Sequence, residues 1–152
     1  MSANSYCPTR LLLVDDDPEL LELWEHVLRE AFDGQIHIDA LSDSNAAIKL
    51  VQRHSFDILV TDLSMPDVNR LDLIRCVQSR NRCAQTLLIT GTSTVESLLE
   101  SVDLGAADYL LKPIQPEQLI EVVRSADARL NRWRVALAGA FRRKYAQTES
   151  PC

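Results

Sequence analysis

Glycine, proline and long apolar runs are all scarce in this chain of 152 residues. With four glycines and six prolines, the composition is unlike that of a fibrous or linker-rich protein. The uninterrupted apolar runs are far shorter than the ~20 residues of a membrane-spanning helix. The amino-terminal segment MSANSYCPTR also lacks the apolar stretch of a secretory signal peptide. These absences predict a cytoplasmic globular protein without a membrane span.

Metal-binding cysteine motifs and excess positive charge are absent as well. The four cysteines, Cys7, Cys76, Cys83 and Cys152, form no CxxC pair and have no histidine cluster beside them. Zinc ligation is therefore not expected, and in the cytoplasm these thiols should be reduced. The net charge of −6 argues against nucleic acid as a partner.

The apolar residues that are present follow two alternating periodicities. They make up 46% of the chain beside 25% charged residues, which is typical of a globular domain. Five short apolar segments alternate with stretches of helical periodicity, and strands separated by helices pair in parallel. The sequence therefore predicts an α/β fold, a doubly wound parallel sheet with helices on both faces. The predicted strands cover residues 11–14, 36–40, 58–60, 87–89 and 108–111.

Capping residues mark where several helices begin and end. Asp17 followed by Pro18 predicts the start of the first helix, and the turn at Asp33 and Gly34 predicts its end. The segment 93–96, Ser-Thr-Val-Glu, predicts a capping box that opens the fourth helix.

Polar side chains follow four of the five predicted strands. Asp15 and Asp16 follow the first, Asp62 the third, Thr90 the fourth and Lys112 the fifth. In an open parallel sheet these strand ends share the edge where ligands bind. Carboxylates that converge there repel one another unless a cation lies between them, and ligands that are all oxygen favour Mg²⁺. A carboxylate, a divalent cation, a lysine and a hydroxyl predict a phosphoryl-transfer site with a carboxylate nucleophile.

Four segments together carry a resemblance to a known family. They read LLLVDDDPEL (11–20), FDILVTDLSMPD (56–67), LLITG (87–91) and GAADYLLKPI (105–114). In these motifs the chain resembles the receiver domain of bacterial two-component response regulators, over about residues 9–126. The resemblance implies a flavodoxin-like (βα)5 fold with strand order 2-1-3-4-5. Residues 1–8 would then be an N-terminal tail.

The resemblance implies a role for each polar residue at the strand ends. Asp62 would be the phosphoacceptor, which takes its phosphoryl group from a phosphohistidine of a sensor histidine kinase or a phosphotransfer protein. Asp15 and Asp16 would hold Mg²⁺ together with Asp62 and the backbone carbonyl of Ser64. Lys112 would contact the phosphoryl oxygens.

The resemblance also implies a conformational switch. Thr90, catalytic together with Asp62 and Lys112, would be the hydroxyl that moves onto the phosphate, and Tyr109 the aromatic that turns inward behind it. The Lys112–Pro113 peptide bond would be cis. The chain would be a signalling protein rather than mainly an enzyme, and it would act by contact with an unidentified downstream protein.

Three positions depart from the family pattern or vary within it. Asn69 and Arg70 stand where the family usually has Asp-Gly, and glycine permits backbone conformations that other residues resist. We expect Arg70 to affect the shape of the loop above Asp62. Ser64 would lie near the attacking water, where we expect it to affect the lifetime of the phosphoryl group.

The helical pattern continues past residue 126 into an extension over residues 127–152. Apolar residues recur there at alternating steps of four and three, which is a heptad seam. Trp133 and Leu137 would be exposed unless a partner covers them, so we expect a homodimer in which Leu130, Trp133 and Leu137 pack on a second copy. Alternatively, the helix folds back on its own receiver domain or is a linker of a longer protein. The seam comprises Leu119, Val123, Ala126, Leu130, Trp133, Leu137 and Ala140.

The carboxyl-terminal end is basic, although the rest of the chain is acidic. Residues 1–123 carry nine basic and twenty acidic residues, and residues 124–152 carry seven basic and two acidic ones. A basic helix can bind nucleic acid or an anionic membrane surface. A solvated face on a paired helix accounts for the same pattern, and we favour this interpretation.

Two other functions fit parts of the sequence. Asp15-x-Asp17 formally fits a phosphatase of the haloacid dehalogenase kind, but Pro18 stands where that motif usually continues with a small residue. The segment 105–114 also has no place in such an enzyme. The other alternative is a dimeric scaffold that no longer uses phosphate, and failure of every phosphodonor to change the protein would favour it.

Overall fold

A computed structural model describes residues 7–64, 70–91 and 94–146 of the chain. It contains five strands, which are β1 (Thr9–Val14), β2 (Ile36–Leu41), β3 (Ile58–Asp62), β4 (Gln85–Thr90) and β5 (Asp108–Leu111). All neighbouring strands are parallel, and their order in the sheet is β2-β1-β3-β4-β5. This order confirms the predicted α/β fold and its flavodoxin-like topology.

Five helices alternate with the strands, as parallel pairing requires. They are α1 (Pro18–Phe32), α2 (Ser44–Arg53), α3 (Arg70–Arg80), α4 (Val95–Asp103) and α5 (Pro116–Ala146). Among the described residues, none of the helices combines the length and the apolar character of a transmembrane span.

The strands extend further than the apolar runs that predicted them. β1 begins at Thr9, β3 continues to Asp62 and β4 continues to Thr90. The sheet ladder includes these polar ends: Asp62 is in register with Ile89, and Thr90 with Leu111. Backbone groups pair whatever the side chain, so a pattern of apolar residues underestimates the strands. The functional side chains of β3 and β4 therefore belong to the sheet itself.

Side-chain caps fix both ends of α1 as predicted. The Asp17 carboxylate accepts hydrogen bonds from the amides of Glu19 and Leu20, and Pro18 is the first helical residue. The helix ends at Asp33, whose φ of 42° is left-handed.

The start of α4 differs from the prediction by one position. Thr94 is the N-cap, and its hydroxyl accepts from the amide of Ser97, while the Ser97 hydroxyl accepts from the amide of Thr94. Glu96 is therefore not the reciprocal partner, because Ser97 occupies the third helical position. Ser93, the N-cap that the sequence predicted, lies outside the described residues.

Two apolar cores lie on opposite faces of the sheet. α1 and α5 cover one face, where Trp24 and Leu28 pack with Leu119 and Val123. The central strands are buried on both faces, which explains their uninterrupted apolar runs. α2 and α3 cover the other face with Ala47, Val51, Leu73, Ile74 and Val77.

α5 is one continuous helix, and only part of its seam is exposed. The first three seam residues are buried, and Leu130 is 1% exposed, whereas Trp133 and Leu137 are exposed. The predicted dimer surface was therefore wrong at Leu130, because the same chain already covers this side chain. The periodicity of the seam is real, but its first half packs on the chain's own sheet.

Polar contacts also fasten α5 to the base of the sheet, which is the edge formed by the amino ends of the strands. Arg134 Nη2 lies 3.0 Å from Asp57 Oδ2, and Arg134 Nη1 donates to the Thr9 hydroxyl over 3.2 Å. The Thr9 hydroxyl in turn donates to Asp127 Oδ1 over 2.6 Å. The alternative that the helix folds back on its own receiver domain thus holds as far as Arg134.

Leu130→Ala is expected to lower the free energy of unfolding by about 2–5 kcal/mol, because it empties a closely packed site. Val135→Ala, at a position 60% exposed on the same helix, is the control and should change it by less than about 0.5 kcal/mol. Urea unfolding followed by circular dichroism measures both variants. Small and equal effects would contradict packing of α5 on the receiver domain beyond residue 126.

Candidate functional site

Four adjacent strands bring their polar end residues together at one edge of the sheet. Asp62 and Thr90 are the last residues of β3 and β4, and Asp15 and Lys112 directly follow β1 and β5. β1, β3, β4 and β5 are neighbours in that order, so the four side chains project from one continuous edge. This is the edge at which parallel sheets of this kind bind ligands. The structure thus places the predicted site residues side by side.

Three carboxylates form the acidic part of the site. One carboxylate oxygen from each of Asp15, Asp16 and Asp62 lies within 4.8 Å of the other two. Asp15 and Asp62 are 2% and 4% exposed, whereas Asp16 faces solvent. The amide of Asp17 donates to Asp15 Oδ1 over 2.9 Å and orients that carboxylate. The cluster is therefore buried on one side and open to solvent on the other.

The Lys112 ammonium is the positive charge of the site. Its Nζ lies 2.6 Å from Asp62 Oδ2 and 3.7 Å from Asp15 Oδ2. Burial lowers the pKa of Lys112, but the hydrogen bond to Asp62 and the charges of both carboxylates outweigh burial and raise this pKa above its ordinary value. Lys112 is therefore protonated at neutral pH. The peptide bond from Lys112 to Pro113 is cis.

The Asp15 carboxyl shows the opposite balance. Burial raises its pKa, and the amide of Asp17 and the charge of Lys112 offset only part of that rise. The charges of Asp62 and Asp16 raise the pKa further. Folding therefore disfavours the ionised form of Asp15, and an ionised Asp15 lowers the free energy of unfolding. A carboxylate held in this way is typical of a functional site.

The donor set fits a hard divalent cation. Three carboxylates and one ammonium leave the site negative, and carboxylate oxygens are the ligands that Mg²⁺ prefers. The amide of Ser64 donates to Asp62 Oδ1 over 2.7 Å, while Lys112 binds Oδ2. Both oxygens of Asp62 are therefore oriented, and the backbone of Ser64 lies directly beside them.

A pair of hydroxyls connects Asp62 to the end of β4, a connection that the sequence analysis missed. Ser64 Oγ and Thr90 Oγ1 are 3.2 Å apart, and the amide of Gly91 donates to Ser64 Oγ over 3.1 Å. Ser64 therefore contacts both the phosphoacceptor candidate and the strand end that carries Thr90. The sequence signal was a small hydroxyl residue near the end of each of two strands, Ser64 after β3 and Thr90 at the end of β4. Their contact depends on the register between these strands.

The elements beside Thr90, which are α4 and β5, bury few side chains. Tyr109 lies on the edge strand β5, partly buried against the core under α2 and α3. α4 buries a single residue, Ser101, and exposes Val95, Leu99 and Val102. A helix with so few buried side chains is the element that can shift at least cost.

Arg70, which departs from the family pattern, is the first residue of α3 and reaches towards α4. Its Nη2 lies 3.9 Å from Glu100 Oε1. Asn69 lies outside the described residues. The expected effect of Arg70 on the loop above Asp62 stays a prediction, and the contact with Glu100 shows that Arg70 also connects two helices.

The family model of the response regulator receiver domain matches residues 11–124. This chain belongs to the response regulator receiver domain family. It is therefore a signalling domain of two-component systems, with the acidic pocket at which receiver domains generally bind Mg²⁺.

Two curated relatives match most of this chain but only part of their own length. The response regulator protein PilR of Pseudomonas aeruginosa is 33% identical over 119 residues, which cover 77% of this chain and 26% of PilR. The DNA-binding response regulator MtrA of Mycolicibacterium smegmatis is 36% identical over 124 residues, which cover 81% of this chain and 51% of MtrA. This chain thus spans about half, or less, of the length of these relatives.

Solved receiver structures share the fold. The CheY-like receiver domain protein of Methanospirillum hungatei aligns with a TM-score of 0.72 at 22% identity, over 83% of this chain and 99% of that one. Chemotaxis protein CheY4 of Vibrio cholerae aligns with a TM-score of 0.70 at 24% identity, over 79% of this chain and 99% of that one. Both are covered almost entirely, so the receiver fold is complete in this chain.

Asp15→Asn is expected to stabilise the metal-free protein at neutral pH, because it removes a buried charge whose pKa is raised. In the presence of a chelator, its free energy of unfolding should exceed that of the wild type at every pH above the raised pKa. The difference should shrink as the pH falls to the ordinary pKa of 3.8, below which Asp15 is neutral in both states.

The control for this experiment is Asp16→Asn, at the exposed carboxylate of the same cluster, which should change the free energy of unfolding less. Urea unfolding at a series of pH values measures both variants. An Asp15→Asn variant that is less stable than the wild type at neutral pH would contradict the unfavourable burial of this charge.

Proposed function

We propose that Asp62 accepts a phosphoryl group from a phosphohistidine of a sensor histidine kinase or a phosphotransfer protein. The observation that carries this proposal is the position of Asp62, a buried carboxylate between an acidic pair and the Lys112 ammonium. A carboxylate oxygen attacks phosphorus, the P–N bond to the donor's imidazole breaks, and an acyl phosphate P–O bond forms. The imidazole leaves with the electron pair of the broken bond. Attack by water on the acyl phosphate later returns the carboxylate and releases inorganic phosphate.

Asp15, Asp16, Asp62 and the backbone carbonyl of Ser64 would hold Mg²⁺. Bound there, the ion supplies positive charge that neutralises the phosphoryl oxygens. Lys112 does the same from the side of β5, since its ammonium is already fixed 2.6 Å from Asp62. Charge placed in advance where the phosphoryl group arrives is the main catalytic device of such a site.

Phosphorylation changes the hydrogen-bond partners of the site. It adds about −1.5 to −2 charge and new acceptor oxygens, to which Lys112 and Thr90 can donate. Movement of the Thr90 hydroxyl onto the phosphate would break its contact with Ser64 Oγ and shift the end of β4. The weakly buried α4 and Tyr109 on β5 would follow, and their two arrangements form the switch.

An apolar groove beside the site is suited to binding a helix of the phosphodonor protein. Leu23 on α1 is exposed in this groove, which has a volume of about 520 Å³. Because the groove is continuous with Lys112, a helix docked in it lies next to Asp62, and apolar helix faces bind such grooves. We propose that the helix carrying the phosphohistidine packs here. The groove is lined by Leu20, Leu23, Trp24, Gly91, Lys112, Pro113 and Ile114.

The output of the switch is protein contact in the cytoplasm. The exposed residues of α4 offer one surface for a downstream protein, and Trp133 and Leu137 of α5 offer another, which we propose binds a second copy of this chain. MtrA is a DNA-binding response regulator, but the match covers 51% of it, and the net charge of −6 speaks against nucleic acid here. Membership of the receiver family removes the basis for the phosphatase alternative.

With Mg²⁺ and acetyl phosphate, the wild-type chain should gain the mass of one phosphoryl group, and Asp62→Asn should gain none. Asp39→Asn, at a partly exposed carboxylate on β2, is the matched control and should be modified like the wild type. A chelator should abolish the gain. Intact-mass spectrometry reads all four samples. No gain in the wild type with Mg²⁺ would overturn the proposal and favour the phosphate-independent scaffold.

Leu23→Glu should slow phosphotransfer from an autophosphorylated histidine kinase at least about tenfold, which corresponds to 1.4 kcal/mol of lost contact. Its reaction with acetyl phosphate should be unchanged, because the small donor needs no groove. Leu99→Glu, at an exposed residue of α4, is the control. The rate of phosphotransfer to each variant is measured with histidine kinases that phosphorylate the wild type. Unchanged transfer to Leu23→Glu would exclude the groove as the docking surface.

A further inference from the structure

The seam of α5 continues past the domain as an exposed apolar stripe. Trp133, Leu137, Phe141 and Tyr145 recur every fourth residue, so they share one side of the helix, and each is between 44% and 64% exposed. Leu130 lies on the same side and is buried by the receiver domain. We call these four exposed residues the α5 stripe. It prolongs a packing face, and its side chains are about half exposed.

We propose that the α5 stripe binds the α5 stripe of a second copy in antiparallel orientation. Each helix tip then lies against the base of the other receiver domain, and the two Asp62 sites lie at opposite ends of the dimer. This inference rests on the homodimer contact proposed above, and it adds the surface and the orientation.

The direction of the α5 stripe is fixed by the contacts at the base of the sheet. Arg134 is held by Asp57 and Thr9 at the point where the helix leaves the domain. At 1.5 Å per residue, the helix from Arg134 to Ala146 projects about 18 Å beyond that point. The stripe is therefore carried on a rigid arm that points away from Asp62, which lies at the opposite edge of the sheet.

The α5 stripe is large enough for a specific contact. Large aromatic side chains bury about 150–250 Å² each, so four half-exposed residues of roughly this size offer on the order of 400–500 Å² per chain. Two stripes bring the total to about 800–1,000 Å², which approaches the lower bound of about 1,000 Å² for a specific protein interface. An apolar patch of this size is comparable to the largest patch of a typical monomeric protein, which is often functional.

The distribution of charge favours the antiparallel orientation. In a parallel pair, the basic segments 142–144 of the two helices would lie side by side and repel each other. In an antiparallel pair centred on the stripe, this segment lies opposite residues 134–136 of the other copy, where the charge of Arg134 is already paired with Asp57 of its own receiver domain. Residues 1–123 of that domain carry a net charge of −11.

Acidic side chains lie at the end of α1, at the base of the sheet. Asp33 ends α1 at the base of the sheet, next to Gly34, which lines a cavity together with Val135. Glu30 is exposed one helical turn before Asp33. The basic segment 142–144 of the second copy would therefore approach a surface that carries these two carboxylates together with Arg29 and Arg124, rather than its own counterpart.

Trp133→Glu and Leu137→Glu should each convert the dimer to a monomer, because they place a charge in the middle of the apolar contact. Ala128→Glu, on the opposite and exposed side of the same helix, is the matched control and should stay dimeric. Sedimentation equilibrium over a range of concentrations gives the mass of each protein. Circular dichroism establishes that the variants remain folded, since the stripe is exposed within each chain.

Orientation is tested by disulfide formation in a chain whose four natural cysteines are replaced by serine. When Trp133→Cys and Tyr145→Cys chains are mixed and oxidised, antiparallel pairing predicts a disulfide between the two different variants. The other end of that heterodimer keeps Trp133 opposite Tyr145, so the contact survives. Disulfides that join only identical variants would show parallel pairing and overturn the proposal.

A chain that is monomeric at every concentration would also overturn the proposal. Binding of that monomer to vesicles containing phosphatidylserine would assign the α5 stripe and its basic flank to a membrane surface instead. Acetyl phosphate labelling of the same samples tests the phosphorylation of Asp62 separately from the dimer contact. Normal labelling of Asp62 in a monomer refutes the dimer alone, whereas a dimer without labelling refutes the proposed receiver chemistry alone.

Discussion

The contact between the Lys112 ammonium and the Asp62 carboxylate is the interaction on which the site depends. It joins the ends of β3 and β5 across β4 and provides the one positive charge that the described residues place within 4 Å of the buried carboxylates of Asp15 and Asp62. Without it, the described residues would leave Asp62 a buried anion with the Ser64 amide as its hydrogen-bond donor, and an uncompensated buried charge costs several kcal/mol. Burial raises the pKa of Asp15, and the charge of Lys112, which also faces Asp62, offsets only part of that rise. A site with surplus negative charge binds a cation readily.

The same contact links chemistry to conformation. A phosphoryl group on Asp62 offers new hydrogen-bond acceptors to Lys112 and Thr90. These hydrogen bonds would stabilise new positions of both side chains. What resists their movement is packing, and packing is strongest around β1 and β3 and weakest around α4. A local change in hydrogen bonding can shift only a structure whose alternatives differ by a few kcal/mol. Ser64 contacts both Asp62 and Thr90, so it connects the hydrogen bonding of the phosphoacceptor to the end of β4.

Much of this architecture is readable in the sequence because its signals are local. An apolar run that ends in Asp15 or Asp62 identifies a strand and its functional end together. The contact between Ser64 and Thr90 was not predictable, since it depends on the register of two strands that one sequence does not specify. Leu130 was assigned to the wrong partner for a related reason. Heptad spacing shows that a face is buried, but the same spacing results whether the chain's own sheet or a second helix covers it.

α5 shows how one periodicity can serve two partners. Packing on the chain's own sheet involves no loss of translational freedom, so the seam residues within reach of the sheet are covered first. Beyond Arg134 the helix extends past the sheet, and the side chains of the remaining stripe are about half exposed, so a second copy can cover them. The contact of Arg134 with Asp57 fixes the direction in which that remainder leaves the domain before any partner arrives, which lowers the entropic cost of orienting it on association. Because this anchor lies at the base of the sheet and Asp62 at the opposite edge, a switch confined to β4, α4 and β5 can change one contact surface and leave the paired helices in place.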